Sequence, residues 1–202
     1  MNSGRSVSAW DDRSHAGRVG ARYLHLYICD PMKAILTRTG SVSDSELNGL
    51  GQRYHLAQMN IARSVAPLDS PFMASFLELV PVLNSLAEQS PGFVWRLKTS
   101  EQIADDEGGY ADPLIVVNLS LWTGVEALRS YFDTDLHQAA FEKRHEWFEP
   151  TTLRQGVIWW NPSGSLPTVA EGKRRLCTLN EIGDTVQAFS MFRPFPPPDS
   201  DG

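Results

Sequence analysis

The sequence predicts an α+β fold of the ferredoxin-like kind, and three observations carry that expectation. Strand-like and helix-like segments run in the order strand, helix, strand, strand, helix pair, strand, helix, short strand, so the strand-helix-strand unit occurs twice. The strand candidates YHLAQMNIA and PLIVVNLSLW carry apolar side chains on both alternating sides, so both faces of their sheet need a cover. A chain of 202 residues is long enough for one well-packed core and little more. If the helices cover one face, the matching sheet of an identical copy is expected on the other, which makes a homodimer.

The first regular strand begins at Tyr54, with Leu56, Gln58 and Asn60 on one side and Ala57, Met59 and Ile61 on the other. The turn APLDSP leads into a helix, with Asp69 or Ser70 available to cap backbone donors and Pro71 at a position that tolerates a missing amide proton. Phe76, Leu79, Leu83 and Leu86 then recur at helical spacing. Pro81 breaks the hydrogen-bond ladder, so a kink or a split is expected between Leu77 and Pro81. SPG and FVWRLK read as a turn and a second strand, and the acidic, turn-rich stretch from 99 to 112 as a loop.

PLIVVNLSLW is the third strand, with Asn118 on the side of Val116 and Trp122. In TGVEALRSYF, Thr123 and Glu126 stand at capping-box spacing, and a second helical segment runs from Asp135 to Phe148. GVIWW is a fourth strand, Thr168 to Leu179 a last helix, and QAFSMF a final short strand before the proline-rich RPFPPPDSDG. The expected organisation is an N-terminal extension over 1–52, partly flexible, a ferredoxin-like domain over 53–192 and a tail over 193–202. Within the extension, YLHLYIC reads equally as a short strand or as a local apolar patch.

Charge and cysteine usage narrow the function classes. With 24 acidic and 18 basic residues the formal charge is -6, which disfavours nucleic acid or an anionic membrane surface as a partner. Cys29 and Cys177 give neither a disulfide framework nor a thiolate zinc site. No apolar run approaches the roughly 20 residues needed to span a bilayer, and the cytoplasm is the default location. GxGxxG, GxxxxGK[ST] and HExxH are all missing, and no cofactor is expected. The one compact basic run, Lys173 to Arg175, reads as a solvated helix face.

The segment YFDTDLHQAAFEKRHEWFEP holds the chemistry-bearing residues. His137, Phe141, Arg144 and Phe148 are four, three and four apart, which places them near one helix face. There His137 would serve proton exchange and Arg144 would grip an anion. The same spacing suits a packed helix with Phe141 and Phe148 in the core and the two polar groups at its rim. Asn60 and Asn118 interrupt apolar strands and can orient a ligand. Trp95, Trp122 and Trp160 can form apolar walls or serve strand packing. Together these give a catalytic group of His137, Arg144 and Asn118, and ligand contacts at Asn60, Trp95, Trp122, Phe141 and Trp160. No metal site is expected.

The ordered set YHLAQMNIA, LDSP, SPGFVWRL, VVNLSLW, EALRSY, LHQAAFEKRHEWF and PTVAE resembles the family known as domain of unknown function 3291, over about Tyr54 to Phe192. The resemblance implies membership of the dimeric α/β-barrel superfamily, which includes antibiotic-biosynthesis monooxygenase-like proteins. It implies a cofactor-independent monooxygenase acting on a small aromatic or hydrophobic substrate, with His137 as base and Arg144 stabilising an anionic oxygen. Two alternatives accompany it: a small-molecule-binding or structural dimer, and a haem-binding or haem-degrading protein. Haem-degrading relatives carry an Asn on the first strand, a Trp in a later helix and a His ten residues beyond. Asn60 fits the first, whereas Tyr131 and Phe141 stand where the Trp and His would be.

Overall fold

A computed structural model describes residues 53–98 and 110–198. The N-terminal extension therefore lies outside the described residues. The strands are β1 (Tyr54–Arg63), β2 (Phe93–Arg96), β3 (Ile115–Trp122) and β4 (Gly156–Pro162). The helices are α1 (Ala74–Gln89), α2 (Val125–Phe132), α3 (Asp135–Lys143) and α4 (Val169–Ile182). The strands form one antiparallel sheet in the order β2-β3-β1-β4.

The α+β class is what is observed, but the barrel is not. The sheet is open, with β2 and β4 as its edges, and does not curl or close. One reason lies in the face that was expected to wait for a partner's sheet. Ala57, Met59, Ile61, Leu119, Leu121, Val157 and Trp159 project from that face into a core completed by Val169, Leu176 and Leu179 of α4. The chain's own last helix seals the surface, which removes the sequence-based reason for pairing two copies through it.

Gly172 lets α4 come that close. A Cβ there would collide with the Met59 sulfur, so the absence of a side chain brings helix and strand into contact. Of the basic run of α4, Arg174 stands exposed as a solvated face would have it, whereas Lys173 and Arg175 are half-buried and contact aromatic rings. The Arg175 guanidinium lies 5.3 Å from the Trp159 ring centre and pairs with Glu171, and the Lys173 ammonium lies 5.1 Å from the Tyr110 ring. Thr168 caps the helix by accepting the Glu171 amide at 3.1 Å.

The opposite face packs against α1 and α2. Leu56, Trp122 and Ile158 meet Ala87, Leu128 and Tyr131, and Phe189 joins them from the C-terminal segment. Helix α1 runs through Pro81 without splitting. Leu77, whose carbonyl loses its partner to Pro81, is exposed, so water can satisfy that group. Ser70 does cap the 3-10 turn Pro71–Met73 that precedes α1. The N-cap position of α2 is Gly124 rather than Thr123, and the helical segment from Asp135 becomes a 3-10 turn at Arg144–Glu146. QAFSMF forms no strand. Phe189 makes an isolated bridge with Ile158, donating and accepting at 3.0 and 2.8 Å, and Phe195 packs edge-on against it at 5.6 Å.

Candidate functional site

Strand register builds the site as three cross-strand rows on the α1/α2 face. Leu56 lies opposite Trp122 and Trp160, Gln58 opposite Ser120 and Ile158, and Asn60 opposite Asn118 and Gly156. Leu56 and Trp122 are fully buried, Gln58 and Ser120 are 6% exposed, and Asn60 and Asn118 are open to solvent. Polarity therefore rises along the strands from a dry end to a wet mouth. A cavity of about 30 Å³ lies on this gradient, where Gln58, Ser120, Asn60, Asn118 and Trp122 of the sheet face Asn84, Tyr131, Phe132 and His137, with Phe93 and Arg96 of β2 beside them. That volume holds water or one small functional group rather than a ring.

The polar rows form a directed chain of hydrogen bonds. An indole N–H can only donate, and Trp122 Nε1 donates to Ser120 Oγ at 3.0 Å. Ser120 passes its own proton to Gln58 Oε1 at 3.0 Å, and Gln58 Nε2 donates to Asn60 Oδ1 at 2.8 Å. Each link fixes the next amide's orientation. Asn60 is left presenting its Nδ2 hydrogens at the mouth, so that end of the site offers donors.

His137 is the opposite kind of group. It reaches the cavity from the first turn of α3, against Tyr131 at 4.9 Å and Phe132 at 4.8 Å between ring centres. Tyr131 in turn stacks on Trp122 at 5.1 Å, and Phe93 meets Trp122 edge-on at 5.3 Å. Burial among these rings pushes the imidazole below its ordinary value, and a backbone hydrogen bond with Phe132 only partly offsets the shift. Its Nδ1 is buried with no hydrogen-bond partner. With its value lowered, the ring is mostly neutral at pH 7, so one ring nitrogen is a donor and the other an acceptor. Tyr131 is no rival as a base, because burial pushes its hydroxyl up to about 12.

The cavity thus brings together His137, Asn118, Asn60 and Trp122 from the residues expected at the sequence level. The remaining four lie elsewhere. Arg144 is exposed, bonded to the Phe141 carbonyl at 2.6 Å and stacked over the Phe141 ring at 3.8 Å. Phe141 is itself 52% exposed although it stands within α3, and Arg144 begins the 3-10 turn that follows. Trp95 packs into the core on the far face of the sheet. Trp160 lines a separate open groove of about 560 Å³ beside Thr123 to Ala127 and Pro194 to Pro197, and its indole N–H is bonded to the Phe195 carbonyl at 2.8 Å.

Sequence reasoning missed Gln58, Ser120, Asn84 and Arg96. Gln58 and Ser120 were within reach, since each is two residues from an asparagine already singled out, on the same side of its strand. Among the described residues no group of three or more His, Cys, Asp or Glu is placed to hold a metal ion, and no helix is long and apolar enough to cross a membrane.

Fold and site together define an α+β protein with one polar-lined pocket between an open antiparallel sheet and its helices. The chain belongs to the family described as Domain of unknown function (DUF3291), whose model matches residues 55–202. Among curated proteins no match is found. Solved structures similar to it include a putative antibiotic biosynthesis monooxygenase from Nitrosomonas europaea, at 14% identity and a TM-score of 0.42, covering 57% of this chain and 98% of that one. A second such protein, from Caulobacter crescentus, shares 14% identity at a TM-score of 0.37, covering 56% and 92%. A Pseudomonas aeruginosa protein shares 10% at 0.39, covering 57% and 100%. Likeness at this level says nothing about what the present chain does.

Proposed function

We propose that this protein binds a small organic molecule at the cavity and that His137 takes a proton from it. The observation that carries this reading is the buried, unpartnered Nδ1 of His137 at the wall of a cavity whose other polar groups are mostly donors or neutral amides. A buried ring nitrogen without a partner is costly, and in the tautomer with its proton on Nε2 the Nδ1 lone pair would take a ligand hydrogen. The aromatic wall of Phe93, Trp122 and Tyr131 excludes water from that proton. The Asn60 amide at the mouth can hold an oxygen on which negative charge develops.

Cofactor-independent oxygenation is the finer form of this reading, in which the anion left by deprotonation reacts with molecular oxygen. The cavity volume adds a constraint: only the reacting group enters, and the body of a larger substrate lies over the exposed Asn60 and Asn118. The same volume argues against haem, which is many times larger.

Proton abstraction is tested directly by hydrogen exchange. Enolisable ketones from acetone to acetophenone, incubated with the protein in heavy water, are expected to lose α-hydrogen faster than in buffer. His137→Gln should reduce that rate by about 10²–10⁴-fold while Trp122 still responds to the ligand. An oxygen electrode on the same mixtures reports oxygenation. Saturable binding with no exchange, unchanged by His137→Gln, would leave a binding protein and remove the base.

A further inference from the structure

Among the described residues Arg96 is the one cation lining the cavity, and it arrives there through an irregularity in β2. Phe93 pairs with Trp122 and Trp95 with Leu121, with a register shift between them. Strict alternation from Phe93 would put Arg96 on the far face. The bulge reverses that parity, so Trp95 turns into the far core and Arg96 lands in the middle polar row, opposite Ser120.

Once there, the guanidinium is only partly engaged. Nε and Nη2 both donate to Glu88 Oε1 at 2.9 Å, and Nη1 donates to the Leu97 carbonyl at 3.2 Å. Arginine has five N–H groups, two on each terminal nitrogen. One hydrogen on Nη1 and one on Nη2 therefore remain as donors, enough to donate to the two oxygens of a carboxylate or similar oxyanion. The side chain is 18% exposed, while Glu88, at the end of α1, is 39% exposed. Glu88 thus orients the fork from the solvent side and competes electrostatically with any anion that reaches it.

We propose that Arg96 is the anion-holding residue of this cavity, that its ligand carries a carboxylate or an equivalent planar oxyanion, and that Glu88 sets the affinity. This rests on the cavity being the ligand site, as argued above, but not on His137 acting as a base. With Asn60 as a second donor, the site binds an oxyanion at one end and meets an acidic hydrogen with His137 at the other.

Formate is small enough for the cavity and serves as the probe. Titrated into the full chain at fixed ionic strength, it should give a saturable shift of the Arg96 Nε–H signal. Arg96→Gln should weaken binding on the order of tenfold or more. Arg96→Lys, which keeps the charge but loses the fork, should also weaken it, and it serves as the folded control if Arg96→Gln is unstable. Glu88→Gln should tighten binding several-fold. Arg144→Gln, at an exposed arginine outside the cavity, should leave formate affinity within about twofold, and the hydrogen-exchange rate, read on the Arg96 variants, reports the base separately from the anion site. The proposal is overturned if formate saturates without moving Arg96, or if neither Arg96 variant weakens binding.

Discussion

One sheet presents two faces that have been put to different uses, and β1 shows the contrast within ten residues. Ala57, Met59 and Ile61 enter an apolar core closed by α4, with Arg175 and Lys173 set against the aromatic rings at its rim. Leu56, Gln58 and Asn60, interleaved with them, pass from dry to buried-polar to exposed along the other face. A face that needs only stability is filled to close packing. A face left with hydrogen-bonded amides around a small void carries polar groups that packing alone does not require, and that excess marks the site.

The largest effect should come from breaking the sealed face. Trp159→Ala removes a fully buried ring beneath Arg175 and should cost about 3–5 kcal/mol in chemical denaturation. Asn118→Ala, at the exposed mouth, should change stability by no more than about 0.5 kcal/mol. Equal costs for the two would mean that the faces are not differently used.

Ser120→Ala probes the polar face at its most buried link and should have an intermediate effect. It leaves the Trp122 indole without an acceptor and Gln58 without its donor, at about 1–3 kcal/mol. It also frees the amides of Gln58 and Asn60 to turn. An indole N–H as protected from solvent exchange in the variant as in the parent would show that the chain of donors is not what fixes this row.

The smallest effect is on pH dependence. His137 has a folded-state value below its ordinary one near 6.5 because of burial. As pH falls through that ordinary value the unfolded chain gains a proton that the folded chain does not, so the unfolded state is favoured. Stability from this group is therefore full above about pH 6.5 and declines below it, until the folded-state value is passed. His137→Gln should flatten the profile between these two values. An unchanged slope would mean that the ring is not held neutral.

Much of this architecture could be read locally. The strands at Tyr54, Phe93, Ile115 and Gly156, the stripe of α1 and the cap at Thr168 follow from periodicities and caps that involve neighbours in sequence. Parity alone placed Asn60 and Asn118 as polar interruptions and set them on definite faces. His137 stood out because an imidazole preceded Phe141, Arg144 and Phe148 at helical spacing.

What sequence alone did not decide were the contacts between distant segments. Alternation says that two faces are apolar, but not whether a partner's sheet or the chain's own α4 will cover one. That choice turned on the fit of Gly172 over Met59. Helical spacing grouped Arg144 and Phe141 with His137, yet Phe141 within α3 and Arg144 at the start of the 3-10 turn are both exposed. The bulge in β2 exchanged the faces of Trp95 and Arg96. Period and propensity act over a few residues, whereas a bulge or a docked helix is selected by side chains scores of positions away, so the fold class was legible and the membership of the pocket was set only on packing.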